Sequence, residues 1–305
     1  MLKKAISHLK WRDDYFHDEN QYISLIEDIL EEGILEKTRN GYAKSIFGSA
    51  MHFSLEDNTS PLITTKKLAW KTCLRELLWF ISGKTDNEIL QKKNVKIWNS
   101  NASREFLDSQ GLNNLDENDL GPVYGHQWRF FNANYKDCKT DYTNCGIDQL
   151  ANIIKVLKDP EQRSSRRIIL SSWNPCQLKE MALPPCHVLM QFNVSEDKFL
   201  SCSLYQRSGD VGLGVPFNIA SYCFLTHLLG KHCGLEPKEF VYYLGNSHIY
   251  DDHLEILKEQ ILRKPLEFPK LKIKNIYDEI EDYKEEDFEI LNYNYHEKIK
   301  MEMRP

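Results

Sequence analysis

Residues Phe217 to Cys233 are apolar nearly all round a helical wheel, and Gly234 stops the run. A helix without a polar face is buried, so the rest of the chain has to be built around it. Shorter periodic segments are available for this. Tyr22 to Glu32 places Tyr22, Ile23, Ile26, Ile29 and Leu30 on a helical period, and Gly33 ends it. Ala69 to Ser82 and Ile147 to Lys158 have the same character, the latter closed by Asp159-Pro160. Thr85-Asp86-Asn87-Glu88 matches a capping box for a short helix to Lys93, and Asp251 caps a helix carrying Leu254, Leu257 and Ile261. Strands are expected at Ile168-Ile169-Leu170, read as buried, at Val188 to Val194, and at Phe240 to Gly245 running on towards Tyr250.

A chain of 305 residues holds one large domain or two small ones. There is no Gly/Ser/Pro-rich linker, repeat or low-complexity tract, so a single domain over 1–305 is expected, with residues 1–20 as an extension of unclear role. A net charge of −6 gives no reason to expect nucleic acid as the main partner; an anion site would have to be a local cationic cluster. No apolar run reaches membrane-spanning length. Met1 to His8 has two lysines but no following apolar core, so it does not read as a secretory signal. Eight scattered cysteines without a Cys-x-x-Cys pair read as reduced thiols in a reducing compartment, the cytoplasm. Cys138 and Cys145, in a polar loop, are the pair to check for oxidation. The acidic run Tyr277 to Glu289, interleaved with Tyr283 and Phe288, reads as a solvated face rather than disorder.

Chemistry is concentrated between Pro184 and Ile219. Cys186 follows two prolines that deny backbone donors, which puts it at a strand mouth rather than mid-sheet. A cysteine before an apolar strand is ordinarily a small buried hydrophobe. If Cys186 is reactive, a cation from elsewhere must favour its thiolate, and Arg207 is the nearest candidate. His187, adjacent on a strand, points to the opposite face and is a poor base for it. Further along, Glu76 lies among Cys73, Trp79 and Phe80 on a helix with two apolar faces. Either it forms a salt bridge with another element, or its pKa is raised as in a general acid/base. Arg39 in the polar loop Lys37 to Tyr42, and Arg166 and Arg167 before a strand, would be solvated charges by default. Ile97 and Trp98 would be core, and Tyr124, in the turn-rich Leu120 to Gly125, a partly buried aromatic.

Met181-Ala182-Leu183-Pro184-Pro185-Cys186-His187, Tyr205-Gln206-Arg207-Ser208-Gly209-Asp210 and Gly214-Val215-Pro216-Phe217-Asn218-Ile219-Ala220-Ser221-Tyr222 resemble the signature blocks of the thymidylate synthase family. The resemblance runs from about Tyr22 to Met303 and is closest to the eukaryotic type, because Ser103 to Asp108 and the segment before Gly121 look like that type's insertions. It implies an α+β fold, a large mixed β-sheet covered by helices on one face, and a homodimer joined sheet to sheet. It implies reductive methylation of deoxyuridylate (dUMP) by methylenetetrahydrofolate, with no metal. Cys186 becomes the nucleophile and Asn218 the reader of the pyrimidine edge. Glu76, Tyr124 and His187 become the proton-moving groups. Arg39, Gln206, Arg207 and Ser208, with Arg166 and Arg167 of the other subunit, go to the nucleotide phosphate side, where the arginines' field also lowers the thiol pKa. His248 and Tyr250, facing the same way two residues apart, go to the ribose. Ile97, Trp98, Asn101, Asp210, Leu213, Gly214 and Phe217 form the folate wall, and the tail closes over the folate, although Arg304-Pro305 departs from the small or apolar residues that usually end it. Two rivals remain: a nucleotide hydroxymethylase on the same fold, and a binding or scaffold protein with dispensable catalysis.

Overall fold

The computed structural model describes residues 17–304; the segment Met1 to His8, most of the N-terminal extension, and Pro305 lie outside the described residues. Helix α1 (Asn20–Glu32) leads into strands β1 (Ile34–Thr38) and β2 (Gly41–Ser54). Helices α2 (Trp70–Ile81), α3 (Asn87–Lys92), α4 (Arg104–Ser109), α5 (Tyr124–Phe130) and α6 (Gln149–Lys158) follow. Then come β3 (Ile169–Ser171), β4 (His187–Ser195), β5 (Phe199–Asp210), α7 (Gly214–Cys233), β6 (Glu236–Tyr250) and α8 (Leu254–Gln260). A small hairpin sheet of β7 (Lys270–Ile273) and β8 (Phe288–Leu291) ends the series.

The main sheet runs β1-β2-β6-β5-β4-β3, with β5 and β6 parallel and the other neighbours antiparallel. The parallel pair needs a crossover, and α7 supplies it. That helix is buried along nearly its whole length, packing on β5, β6 and α2, so its all-round apolar character is explained by protein on every side. Gly234 at its end takes φ +71°, the left-handed C-cap conformation that costs glycine least. The fold is thus α+β with a mixed sheet. On the face away from α7, Leu189, Tyr205 and Tyr243 sit side by side in register across β4, β5 and β6 and are left at least 36% exposed by the described residues, and Phe47 on β2 is 83% exposed.

Several local expectations are corrected. The segment Lys37 to Tyr42 is not a loop but a hairpin, in which only Arg39 and Asn40 form the turn between paired Thr38 and Gly41. Asp86, not Thr85, caps α3, accepting from Glu88 N at 2.8 Å; the Thr85 hydroxyl bonds Tyr135 instead. Helix α6 starts at Gln149 under the Asp148 cap, because Ile147 is drawn into a bridge with Phe131. Side chains alternate across the sheet, so Ile169 on β3 is 46% exposed on the open face while Ile168 and Leu170 are buried. Helix α7 begins three residues before Phe217, with Pro216 in the first turn where its missing N–H costs nothing. Asp251 opens a single 3-10 turn, Asp251–His253, and His253 precedes α8. The acidic run is tied down rather than merely solvated: Glu285 pairs with Arg75 and Lys71, Glu281 with Arg129, and Asp287 is buried, accepting from Lys284 N and Asn275.

Candidate active site

Parallel strands β5 and β6 end on the same side, and the first turn of α7 starts there too. The site is assembled at that end. Cys186 precedes β4 and is partly exposed; its backbone N–H donates to Tyr124 Oη at 2.7 Å. Arg207, on β5, donates Nε to Pro185 O and Nη2 to Pro184 O, both at 2.8 Å, and its Nη2 lies 3.7 Å from Cys186 Sγ. The two prolines thus fix the guanidinium through their carbonyls, and the guanidinium lies against the sulfur. Its other side faces the Trp173 ring. Burial pushes the Cys186 thiol above its ordinary range, and the charges of Arg207 and Arg39 pull it back only partly. Within one chain, desolvation outweighs Arg207 and Arg39 at this thiol.

His187 turns away from Cys186, as the strand period requires. Its ring packs 5.0 Å from Tyr124 and its Nε2 lies 2.7 Å from Asn218 Nδ2. An amide nitrogen can only donate, so Nε2 accepts and the proton of the neutral ring is on Nδ1. Burial holds His187 down to about 3, so it is uncharged at neutral pH. Asn218 Oδ1 faces Tyr242 Oη, which donates to Gln206 Oε1 at 2.6 Å, and Gln206 Nε2 donates to the Ser208 carbonyl. Hydrogen bonds therefore run from Tyr242 through Gln206 to the Ser208 carbonyl, and separately from Asn218 to His187, with Asn218 Oδ1 3.4 Å from the Tyr242 hydroxyl whose one hydrogen goes to Gln206.

Glu76 resolves the alternative left open for it. Among the described residues it makes no ion pair; it accepts from Trp98 Nε1 at 2.6 Å, and burial pushes its carboxyl up to about 7. Tyr124 is the first residue of α5, not part of a turn, and its ring joins Phe80, Trp98 and His187. These shifts set opposite pH trends. The folded state binds more protons than the unfolded one at Glu76, so that group's stabilising contribution is complete below about 4.5 and is lost as pH rises through about 7. Buried neutral His187 does the reverse, losing its contribution as pH falls from about 6.5 towards 3. Glu76→Gln is expected to be close to neutral at pH 5 and stabilising by about 2–3 kcal/mol at pH 8 in urea unfolding. A difference that does not change with pH would show that Glu76 ionises freely in the folded chain.

Other expected residues fall around this centre. His248 and Tyr250 project together from the end of β6, with rings 5.2 Å apart. Arg39 is exposed at the hairpin tip, yet its charge reaches both Cys186 and Tyr250. Asp210 closes β5 by accepting from Gly212 N and Leu213 N, which sets the start of α7. Leu213, Gly214 and Phe217 are partly exposed on that first turn. Ile97, Trp98 and Asn101 lie in the turns between α3 and α4; Asn101 is buried, and its Nδ2 makes no hydrogen bond within the described residues. Arg166 and Arg167 are exposed before edge strand β3.

Sequence reasoning missed Lys66. It is buried, with Nζ on the Gly212 carbonyl at 2.5 Å and on Tyr22 Oη at 3.2 Å, and burial lowers it to about 7 despite the charges of Asp210 and Glu19. Glu19 in turn accepts from the amides and hydroxyls of Thr64 and Thr65. The available signal was the run Ser60 to Lys66, where polar residues interrupt an apolar stretch without a turn residue after Pro61.

A cysteine under a guanidinium, with a buried, half-protonated carboxyl and a neutral imidazole behind it, defines an α+β enzyme centred on a thiol. The family model described as Thymidylate synthase matches residues 20–305. The chain is 53% identical over 298 residues to a bifunctional dihydrofolate reductase-thymidylate synthase of Paramecium tetraurelia, covering 97% of this chain and 63% of that protein. It is 51% identical over 289 residues to thymidylate synthase of Homo sapiens, covering 94% and 91%, and 50% identical over 296 residues to that of Saccharomyces cerevisiae, covering 94% and 97%. This chain belongs to the thymidylate synthase family.

Proposed function

We propose that the chain, as one domain, converts dUMP to thymidylate with methylenetetrahydrofolate, releasing dihydrofolate. The observation that carries this is Cys186 Sγ at 3.7 Å from Arg207, with Asn218 hydrogen-bonded to His187, the residue that follows Cys186. Carbon five of a pyrimidine is a poor nucleophile. Attack of the Cys186 thiolate at carbon six moves a ring electron pair towards carbon four and its oxygen, giving an enolate whose carbon five can take a one-carbon unit. Asn218 offers a second amide hydrogen and a weakly engaged carbonyl oxygen to the ring edge, which suits uracil. Arg207, Ser208 and Arg39 surround the position for a phosphate, and His248 and Tyr250 that for a ribose hydroxyl. Glu76, close to half protonated at neutral pH, and Tyr124 move protons at the ring with His187.

The residues present fit a folate. Ile97, Trp98 and Phe217 give a flat apolar wall, Asp210 an acceptor, and the unpaired Asn101 Nδ2 a buried donor. The folate, when bound, supplies the carbon and the hydride. The homodimer is supported by the exposed row Leu189, Tyr205 and Tyr243 with Phe47, an apolar patch of the kind that marks an association surface. A cytoplasmic setting is supported by eight cysteines, all free; none of the described helices is long and apolar enough to cross a membrane.

Incubation with dUMP and methylenetetrahydrofolate, following dihydrofolate absorbance and product mass together, tests the whole proposal. A hydroxymethyl product without dihydrofolate would replace it with the hydroxymethylase alternative. Asn218→Asp tests the edge reading. A carboxylate lacks the amide donor and favours an edge bearing an amino group, as cytosine has. The expected result is a fall of about 10- to 100-fold in kcat/KM for dUMP, with gained turnover of deoxycytidylate. An unchanged nucleotide preference would remove Asn218 from that role.

A further inference from the structure

The final described residues run back over the substrate side of the sheet. Met301 Sδ would lie 3.2 Å from a Cβ placed on Gly212, and His253 Nε2–H donates to the Glu302 carbonyl at 2.9 Å. Arg304 is then held at four points. Its Nη1 donates to the Asn40 carbonyl at 2.9 Å, and its Nη2 donates to Asp251 Oδ1 and Asp252 Oδ1, both at 2.7 Å. The guanidinium carbon lies 4.9 Å from the centre of the Tyr250 ring.

These partners belong to separate pieces of the chain that meet at the proposed nucleotide site. Asn40 is half of the two-residue turn whose other half is Arg39. Tyr250 ends β6, and Asp251 and Asp252 follow it. The turn has its own bonds, Thr38 Oγ1 to the Gly41 carbonyl, Asn40 N to Thr38 Oγ1 and Arg39 Nε to Asn40 Oδ1, and the Asn40 side chain also bonds Tyr250, but it is Arg304 that joins the turn to the Asp251–Asp252 pair. Strand β1 is the sheet edge and all five of its residues are exposed, so the tip carrying Arg39 projects beyond the packed core. A planar guanidinium suits this junction. One edge serves two carboxylates, another nitrogen serves a carbonyl, and the flat face lies on a ring; an ammonium cannot do all three.

We propose that Arg304 is a positioning residue, clamping the Arg39–Asn40 turn to the Asp251–Asp252 pair and so holding Arg39 where it meets the nucleotide phosphate. This rests on the assignment of Arg39 to the phosphate of dUMP. Were the tie to Arg304 lost and the turn loosened, Arg39 would spend only part of its time in the binding position, and apparent affinity would fall by that fraction. Arg304 touches none of the reacting groups, so its loss should act on KM for dUMP rather than on kcat.

The test compares Arg304→Ala, Arg304→Lys, Asp251→Asn with Asp252→Asn, and the triple variant, in the full chain. Steady-state kinetics, calorimetric titration with dUMP, thermal melting and amide exchange of the peptide spanning Thr38 to Tyr42 are read together. Arg304→Ala should raise KM and Kd for dUMP about 5- to 20-fold with kcat changed less than about twofold, and should speed exchange at Asn40 and Gly41. The double asparagine variant should do the same, and the triple should add less than about twofold, because all remove one clamp. Arg304→Lys should recover only part. Unchanged dUMP affinity and exchange in Arg304→Ala, or additive effects in the triple variant, would overturn the clamp. Faster exchange at the turn with unchanged dUMP affinity would overturn its link to the phosphate. A wild type that forms no thymidylate, while Arg304→Ala still frees the turn and weakens dUMP binding, would support the clamp and sink the methylation proposal.

Discussion

Cys186→Ser is expected to lower kcat by roughly four orders of magnitude or more while dUMP binding changes less than about threefold. The hydroxyl has almost the same shape and keeps the backbone donation to Tyr124, so the surroundings are left intact. What is lost is an ionisable nucleophile: a serine beside Arg207 has no adjacent base, since the His187 ring is turned to Asn218. Binding survives because phosphate, ribose and ring are held by other groups. Fluorodeoxyuridylate with the folate should give a covalent adduct on the wild type and none on the variant. Peptide mapping decides the assignment. Cys73, Cys202, Cys223 and Cys233 are buried, Cys138 partly so, and Cys145 and Cys176 exposed; an adduct on any of these seven would show that Cys186 is not the nucleophile.

Arg166→Ala combined with Arg167→Ala is expected to raise KM for dUMP by about 10²- to 10⁴-fold, each charged hydrogen bond contributing ~1.5–3 kcal/mol. The effect should come from the other subunit. Both arginines are exposed at the sheet edge before β3. In the proposed homodimer they would come from the neighbouring subunit to the phosphate. Mixing this double variant with Cys186→Ser and exchanging subunits should therefore create heterodimers with one complete site each. A fully exchanged equimolar mixture should recover about a quarter of the wild-type activity at low dUMP, since about half of the dimers are mixed and each has one of two sites intact. Heterodimers confirmed by native mass spectrometry but without activity would mean that the arginines serve their own chain.

The periodic patterns located most elements because burial is written locally. An all-round apolar run could only become the buried α7, and a cysteine after two prolines could only stand at a strand mouth. Boundaries moved where a distant group competed, as at Ile147, pulled out of α6 by Phe131, and at Thr85, taken from its cap by Tyr135.

By itself, the sequence determined the α+β composition, the central helix, and the grouping of a thiol, a guanidinium, a carboxylate and an amide on consecutive elements. Tertiary structure alone decided what each polar group faces. Trp98, 22 residues from Glu76, takes the place of a counter-ion and leaves the carboxyl near neutrality. The same burial raises the Cys186 thiol against its arginines and strips Lys66 of water. It is also the fold that brings Arg304 onto Asn40, 264 residues away along the chain. The reason is that desolvation and charge pairing depend on every neighbour within a few ångströms. Those neighbours come from chain segments whose spacing in sequence carries no trace of their meeting.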